Sequence, residues 1–559
     1  MPRILVVLAL TAAPCLGQGV GPVRAHEGMV AAQNATASAV GTQILQGGGN
    51  AVDAAVATAF ALAVTHPIAG NLGGGGFLVL RRSSGETFAY DFRETGPTGS
   101  SPTMFLTDGR YDPVRHHQGH RSVGVPGAVA GLHLAWKEQG RLPWARLIAP
   151  SVTLARDGFI VSDGLARSLE GVLPSMAPYP ASVAQFSKDG VPYRAGERLR
   201  QPELARALKR IAKDGPAGFY EGETAALIDK EMKAHDGLIT RLDLAAYRAV
   251  RREVLKSGYR GYEVVTMPPP AAGGVGLLEM LNILEGYDLA ARGPGSAALV
   301  HVVVEAMRRA NADRARHIGD PDANPGLPIE KLLSKEYAAE LRRGIHEDRA
   351  SPSAPDRFEW PPESGDTTHL SVVDRERNAV ALTVTLESNY GSKIVVPGAG
   401  FLLNNVMGDF NSGPGLTDAT GQIGTAPNLA APGKRMVSSM APTILSKDGA
   451  VVMVVGSPGG RKIANAVLLT ILNVLDFGMN IQQAIDYPRF HHQWLPDVIV
   501  HERWGLSPDT IEKLAARGHH LSDAWPAASP TAVQAIFVRA DVLEGGYDRR
   551  TPDAGATGY

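Results

Sequence analysis

The apolar residues of this chain fall into separate runs, some with the length of a strand and others with the length of a helix. The run Ala51–Val64 is apolar nearly all round and follows Asn50, a helix-capping residue three positions before Asp53, so it predicts a buried helix. Similar runs predict strands at Phe77–Leu80 and Ala450–Val455 and a second buried helix at Ile463–Leu475. Alternating strand and helix layers indicate an α/β or α+β fold.

The segment Gly365–Glu387 predicts two paired strands joined by a polar turn. Because strand side chains alternate, Thr383, Thr385 and Glu387 share one face, and the opposite face is apolar. A solvent-exposed threonine face would give the same pattern, since threonine favours strands. The alternation therefore does not identify a site without further support. Residues Asp348–Ser364, just before these strands, have the composition of a linker.

Composition narrows the function classes. The chain has 559 residues, of which 44% are apolar and 20% charged, so two or more lobes around a substantial core are expected. Lys and Arg number 55 against 56 Asp and Glu, for a formal charge of −1. Without excess positive charge, neither nucleic acid nor an anionic membrane surface is an expected partner.

The N-terminal stretch Met1–Ala25 resembles a secretory leader, with Arg3 before the apolar run Ile4–Leu16. The run is too short to span a membrane, and Val23-Arg24-Ala25 is a loose match to a cleavage site. The alternative is an uncleaved apolar strand. A leader predicts a secreted or periplasmic protein, and its removal would take away Cys15, the single cysteine, leaving no disulfide and no thiol nucleophile.

A strand, a glycine turn and a helix start coincide at Ala450–Val455, Gly456-Ser-Pro-Gly459-Gly460 and Ile463. Glycines let the backbone approach a ligand closely, and the first N–H groups of a helix suit an oxyanion. Taken alone, the turn could equally be a plain connection. The glycines Gly73–Gly76 precede a strand, whereas a dinucleotide-binding loop follows one, so no nucleotide site is predicted there.

Several short motifs occur together along the chain: Thr367-Thr-His-x-Ser, Gly456-Ser-Pro-Gly-Gly460, Gly49-Asn-Ala-Val-Asp-Ala-Ala55, Asp91-Phe-Arg-Glu94, Gly124-Val-Pro-Gly127, Met267-Pro-Pro-Pro-Ala-Ala-Gly-Gly274, Leu403-Asn-Asn405, Ser438-Ser-Met440 and Arg489-Phe-His-His-Gln-Trp494. With these motifs the sequence resembles the γ-glutamyltransferase (glutathione hydrolase) family. The resemblance implies an N-terminal-nucleophile hydrolase with stacked αββα layers, made as one chain that cleaves itself between Asp366 and Thr367. Residues 26–366 would form the large subunit and residues 367–559 the small one.

The resemblance assigns catalysis to four residues. Thr367 would be the nucleophile, and its freed α-amine, with a pKa of about 7.7–8, would act as general base on the same residue. Thr385 would hydrogen-bond Thr367, and the N–H groups of Gly459 and Gly460 would form the oxyanion hole, each contributing about 3–4 kcal/mol. A γ-glutamyl group would pass from glutathione or a similar amide to water, an amino acid or a peptide. No metal and no organic cofactor are expected.

The resemblance also implies a donor pocket. Arg93 with Ser438 and Ser439 would hold the glutamyl α-carboxylate, and Glu387 and Asp409 would take the α-ammonium. For Arg93 alone, a surface salt bridge would be the ordinary interpretation.

Three positions depart from the family pattern. Val406 stands where a polar ligand of the α-ammonium is usual, and the lost hydrogen bond to a charged group costs roughly 1.5–3 kcal/mol. An amidase for an acyl group without the α-amine, such as glutaryl, is therefore an alternative. Thr420 replaces an aromatic residue within the expected lid Pro414–Lys434, and Arg377 replaces a hairpin glycine. From another class, a secreted binding protein that neither cleaves itself nor turns over is a further alternative.

Other candidate sites have weaker support in the sequence. His116-His117-Gln-Gly-His120 could suggest a metal, but no carboxylate cluster accompanies it in the sequence, so a structural or solvated role is expected. His491-His492 is expected to pack. Asn34-Ala-Thr36 meets the glycosylation rule, which is common by chance.

Overall fold

The structure, a computed structural model, describes residues 21–353, 366–416, 424–525 and 531–559. Two seven-stranded antiparallel sheets form its centre. The first sheet contains, in spatial order, Val250–Arg252, Thr87–Phe92, Gly75–Arg81, Ala379–Glu387, Asp366–Val373, Met29–Ala32 and Gly555–Gly558. The second contains Val23–Ala25, Val542–Tyr547, Gln534–Arg539, Ala450–Gly456, Thr443–Lys447, Tyr262–Thr266 and Leu255–Tyr259.

Helices cover the outer face of each sheet. Ala35–Gln46, Ala51–Thr65, Ala128–Gln139, Trp144–Asp157, Pro202–Asp214 and Gly222–Ala234 contribute to the layer on the first sheet. Ala272–Leu284, Ala297–His317, Lys335–Arg343, Lys462–Leu475, Ile481–Asp486 and Pro508–Ala516 lie on the second. A third apolar cluster fills the space between the sheets. The αββα sandwich predicted from the sequence is therefore confirmed.

Further helices, strands and turns complete the described part of the fold. The helices are Pro113–His117, Asp163–Met176, Pro180–Phe186, Ala217–Tyr220, Arg241–Ala246, Leu289–Arg292 and Ile329–Leu332, with 3₁₀ turns at His120–Ser122, Val406–Asp409 and Ala426–Asn428. The remaining strands are Leu106–Thr107, Arg110–Tyr111, Phe159–Ile160, Ser187–Lys188, Val191–Pro192, Arg198–Leu199, Phe490–His491, Ile499–His501 and Leu521–Ser522.

The predicted buried helix Ala51–Val64 is confirmed as Ala51–Thr65, and every residue in it is buried. The Asn50 side chain caps it by accepting hydrogen bonds from the N–H groups of Val52 and Asp53, and the Asp53 carboxylate accepts a hydrogen bond from the Asn50 N–H. This capping box satisfies backbone groups that would otherwise be buried without partners. Local sequence and burial therefore favour the same helix.

Two features that the sequence singled out lie at the N-terminus and in the hairpin. Val23–Ala25 forms an edge strand paired with residues 543–545, and a cut after Ala25 would remove this strand. Residues 1–20 lie outside the described part of the chain. Arg377 occupies the hairpin turn with φ 66°, the left-handed region where glycine is favoured, and its guanidinium donates to the carbonyls of His26 and Glu27.

Candidate active site

Thr367 lies near the start of the central strand Asp366–Val373, where it pairs with Thr385 on the neighbouring strand. Its hydroxyl donates a 3.2 Å hydrogen bond to Thr385 Oγ1, which also accepts the Glu387 N–H at 2.9 Å. The strand register shifts between Asp366 and Thr367, so the pairing is irregular at this peptide bond. Both threonines are buried, with 5% and 3% of their surface exposed. Thr385 thus orients the Thr367 hydroxyl inside the protein.

The alternative of a solvent-exposed threonine face is wrong. Residues on the same face of the strand, such as Ala379 and Ala381, pack between the two sheets. Thr383 is fully buried there and contacts His369 Nδ1 at 2.8 Å. The polar face is directed at the second sheet, which brings it toward the strand Ala450–Gly456.

His369 joins the two sheets through a chain of polar contacts. Its Nε2 lies 3.1 Å from Ser371 Oγ, and the Ser371 hydroxyl donates to the Gln534 carbonyl at 3.0 Å. Since Ser371 gives its only proton to that carbonyl, Nε2 must carry the imidazole proton and Nδ1 must accept from Thr383. Burial lowers the pKa of His369 to about 3, so the ring is neutral at physiological pH. This residue was not assigned a role from sequence.

The glycine turn is shaped by its neighbours. A Cβ on Gly456 would lie 2.3 Å from the His369 ring, and one on Gly459 would lie 2.7 Å from Thr531 Cγ2. Gly459 and Gly460 have φ of 127° and 56°, and their carbonyls accept the N–H groups that open the helix Lys462–Leu475. Pro458, just before them, lines the same cleft as Thr367.

Arg93 is completely buried at the centre of a charged cluster. Its guanidinium donates to Glu94 Oε2 at 3.2 Å and to the Asp409 carboxylate, and it also donates to the carbonyls of Met436 and Val437. Burial opposes ionisation of Arg93, but Asp409 and Glu94 raise its pKa. Burial raises the pKa of Glu94 to about 7, although the neighbouring Arg93 acts in the other direction. The ordinary interpretation of Arg93 as a surface salt bridge is wrong.

Glu387 carries the second carboxylate of the predicted ammonium pocket. It is buried, has φ 78°, and adds to the electrostatic stabilisation of charged Arg93. His117 Nδ1 lies 3.3 Å from Glu387 Oε1, a contact that the sequence did not predict. Asn405 donates to the His117 carbonyl at 3.1 Å and accepts the Ser388 N–H, which fixes both loops beside Glu387.

The remaining pocket residues are held by motifs of the sequence. Ser438 N–H donates to the Pro270 carbonyl at 2.9 Å, and its own carbonyl accepts from Ala272. A Cβ on Gly273 would lie 2.1 Å from the Ser439 carbonyl, which explains glycine there. Asn428, which lies in none of the sequence motifs, donates to the Asp409 carbonyl at 2.7 Å and accepts the Val437 N–H at 3.0 Å.

Val406 is fully buried in an apolar cluster with Phe105, Met407, Phe410, Ala430 and Met436. The lost polar contact at this position is therefore replaced by packing. Its Cγ2 would lie only 2.9 Å from a Cβ on Gly124, so the glycine of that motif makes room for the valine.

A cleft of about 760 Å³ opens beside Thr367. Thr367, His117, Asn405, Tyr390 and Arg550 contribute to its walls. The volume is in the range of sites for small organic ligands. Residues 417–423 of the expected lid, including Thr420, and residues 354–365 of the expected linker lie outside the described part of the chain.

The histidine motif resolves into separate contacts. His116 is buried with Nε2 3.1 Å from the Met407 carbonyl, and His117 faces Glu387. The sequence has no carboxylate cluster beside this motif, but the fold brings Glu231 and His235, from a distant helix, next to His120. His491 and His492 are buried, as expected, against Asn465 and Asp497.

Two sheets between helix layers, with a buried threonine near the start of a central strand, define the architecture of the N-terminal-nucleophile hydrolases. Residues 37–558 match the gamma-glutamyltranspeptidase family. The glutathione hydrolase proenzyme of Escherichia coli (strain K12) is 45% identical over 544 residues, covering 96% of this chain and 93% of that protein. The chain belongs to the gamma-glutamyltranspeptidase family.

Solved structures agree with this assignment. A cephalosporin acylase from Bacillus halodurans superposes with a TM-score of 0.86 over 99% of both chains, at 27% identity. A gamma-glutamyltranspeptidase of Helicobacter pylori has a TM-score of 0.56 at 38% identity, covering 63% of this chain and 95% of that one.

Proposed function

We propose that the chain is a self-processing γ-glutamyltransferase with glutathione hydrolase activity. The observation that carries this proposal is the pairing of Thr367 with Thr385 beside a pocket that combines Arg93 with Asp409 and Glu387. Family membership and the 45% identity to a glutathione hydrolase proenzyme support the activity and argue against the binding-protein alternative.

In the precursor, Thr367 Oγ1 attacks the carbonyl carbon of Asp366, the peptide C–N bond breaks, and an ester forms while Thr367 gains a free α-amine. Water then hydrolyses the ester to give an Asp366 carboxylate and the restored hydroxyl. The irregular strand register at this peptide and the 3.2 Å contact with Thr385 support an attack at this position. Residues 367–559 then form a subunit that begins with its own general base.

In turnover, the Thr367 amine takes the hydroxyl proton as Oγ1 attacks the γ-carbonyl of the donor. The N–H groups of Gly459 and Gly460 stabilise the tetrahedral oxyanion, and the leaving amine departs with a proton. Water, an amino acid or a peptide then resolves the threonyl ester. The turn before the helix Lys462–Leu475 supports this role through its positive φ angles and its place on the cleft wall.

The donor's amino-acid end fits the charges of the pocket. Arg93, with the Ser438 and Ser439 hydroxyls, would bind the α-carboxylate, while Asp409 and Glu387 would bind the α-ammonium. Since Arg93 already pairs with Asp409, a zwitterion can bridge the two ends of that ion pair. A glutaryl amide lacks the ammonium and would not make these contacts with Asp409 and Glu387.

Location remains part of the proposal. Among the residues that the structure describes, helices long and apolar enough to cross a bilayer are absent. The apolar run Ile4–Leu16 after Arg3 supports export to the periplasm or the medium.

Two measurements test the proposed function. In N-terminal sequencing of the purified protein, the smaller fragment should begin with Thr-Thr-His. An active but uncut chain would contradict the mechanism. Rates on γ-glutamyl and glutaryl anilides should then be compared under identical conditions. Preference for the glutaryl anilide would favour the acylase alternative, which the apolar Val406 makes worth testing.

A further inference from the structure

His120, Glu231 and His235 form a cluster that the proposed catalysis does not use. His120 opens the 3₁₀ turn His120–Ser122, and Glu231 and His235 lie one helical turn apart at the end of the helix Gly222–Ala234. Glu231 Oε1 lies 2.9 Å from His120 Nε2 and 3.7 Å from His235 Nε2. One carboxylate oxygen therefore faces two imidazole nitrogens from separate segments.

The cluster has the donor set of a transition-metal site. Two imidazole nitrogens and a carboxylate oxygen are common ligands of Zn²⁺, and the three ligand atoms lie within 4.8 Å of one another. Tetrahedral Zn²⁺ with bonds of about 2.0–2.1 Å needs ligand atoms about 3.3 Å apart, so only small side-chain movements are required. The His120 and His235 rings are stacked, 13° apart with centroids at 4.6 Å, so the two imidazoles already lie side by side.

The cluster is buried on the side of His120 and Glu231 and open to solvent on the side of His235. His120 and Glu231 have only 6% and 14% of their side chains exposed, whereas His235 has 54% exposed. The Tyr179 ring packs edge-on against the His120 ring, with the ring centroids 6.0 Å apart. Water can complete the coordination from the His235 side.

We propose that His120, Glu231 and His235 bind a divalent transition metal, with Zn²⁺ as the fitting ion. The site fastens the segment 113–122 to the helix Gly222–Ala234. That segment also carries His117, which contacts Glu387, so the ion would stabilise one wall of the cleft from a distance. The proposal does not depend on the proposed catalytic activity.

Metal binding is tested on the full chain after dialysis against a chelator, with Co²⁺ as a spectroscopic probe and Zn²⁺ in calorimetry. We expect one saturable equivalent per chain, with the visible absorption bands of four-coordinate Co²⁺. His235→Ala and Glu231→Gln should each weaken binding by at least about tenfold. Both should keep the fold, because His235 is half exposed and glutamine can still accept from His120.

The matched control is His26→Ala, which removes a histidine outside the cluster and should bind as wild type does. Zn²⁺ should also raise the Tm of wild type and of the His26 variant, but not that of the His235 variant. The proposal is overturned if saturable binding is absent, or if the His235 and Glu231 variants bind as tightly as wild type. A Zn²⁺-induced Tm rise that persists in the His235 variant would equally contradict it.

Discussion

Replacing Thr385 by valine tests whether its hydroxyl orients Thr367. Thr385 Oγ1 accepts the Thr367 hydroxyl at 3.2 Å and the Glu387 N–H at 2.9 Å. Valine keeps the shape of the side chain and removes the single oxygen that accepts both hydrogen bonds. Thr383→Val is the matched control, because Thr383 lies on the same buried face two residues away and contacts His369 instead.

The two variants should have similar costs in stability. Thr385→Val leaves the buried Glu387 N–H without this acceptor, and Thr383→Val leaves His369 Nδ1 without its donor, each at about 1–3 kcal/mol. They should differ in reactivity. Loss of one neutral hydrogen bond from the Thr367 hydroxyl, about 0.5–1.5 kcal/mol, should slow processing by up to about tenfold. If the hydroxyl also moves out of position, the rate should fall further, to about a hundredfold below that of wild type.

Processing is followed as the conversion of full-length chain to two fragments on denaturing gels. Stability is measured by urea unfolding with each substitution placed in the Thr367→Ala chain, which should stay uncut. Turnover is measured with a γ-glutamyl anilide on the processed fractions. Thr385→Val should be slow in both reactions and Thr383→Val close to wild type in both. Equal slowing in the two variants would mean that stability alone sets the rates, and wild-type processing by Thr385→Val would refute the orienting role.

Three further predictions follow from the site. Thr367→Ala should give a full-length, inactive chain on gels, while Thr367→Ser should still process slowly; efficient cutting of the alanine variant would contradict the mechanism. Asp409→Asn should raise the KM for a γ-glutamyl anilide about ten- to a hundredfold and that for a glutaryl anilide much less, and equal effects would argue against ammonium binding by Asp409. The free energy of unfolding, measured with urea, should be lower at pH 5 than at pH 7. A histidine whose folded pKa lies below the unfolded value of 6.5 loses its contribution to stability as the pH falls from 6.5 toward the folded pKa. His369→Gln should reduce this pH dependence, and an unchanged dependence would contradict the prediction. The buried histidines concerned have pKa values lowered to about 3 or 4 by burial: His66, His369, His491, His492 and His519.

The fold could be predicted where burial and local chemistry agree. The helix Ala51–Thr65 combines a capping box with an all-apolar run, and the strands Asp366–Val373 and Ala379–Glu387 alternate with period two. The pairing of Val23–Ala25 with residues 543–545 could not be predicted, because it joins segments more than 500 residues apart. A short edge strand has no local signal that separates it from a leader's end.

The site could be predicted in its composition but not in its contacts. Sequence motifs selected Thr367, Thr385 and Arg93, and the structure brings the two threonines together. His117 was noticed only as part of a histidine-rich motif, and its contact with Glu387 depends on a fold-level meeting of distant segments. Asn428 has no motif at all, although it hydrogen-bonds the backbone on both sides of the Arg93 cluster.

Donor choice can be argued from charge. One buried arginine faces the carboxylates of Asp409 and Glu387 and the partly protonated Glu94, whose pKa is raised to about 7, so carboxylates outnumber the guanidinium in this cluster. Glutaryl and γ-glutamyl groups bring the same carboxylate, and only the γ-glutamyl group adds an ammonium; two opposite charges about 4 Å apart attract by on the order of 4 kcal/mol at an effective dielectric constant of 20. That exceeds the roughly 1.5–3 kcal/mol lost with the polar contact at Val406. A γ-glutamyl group brings its own ammonium to the carboxylates. The same sandwich supports a cephalosporin acylase elsewhere, so these charges, rather than the fold, should decide the substrate.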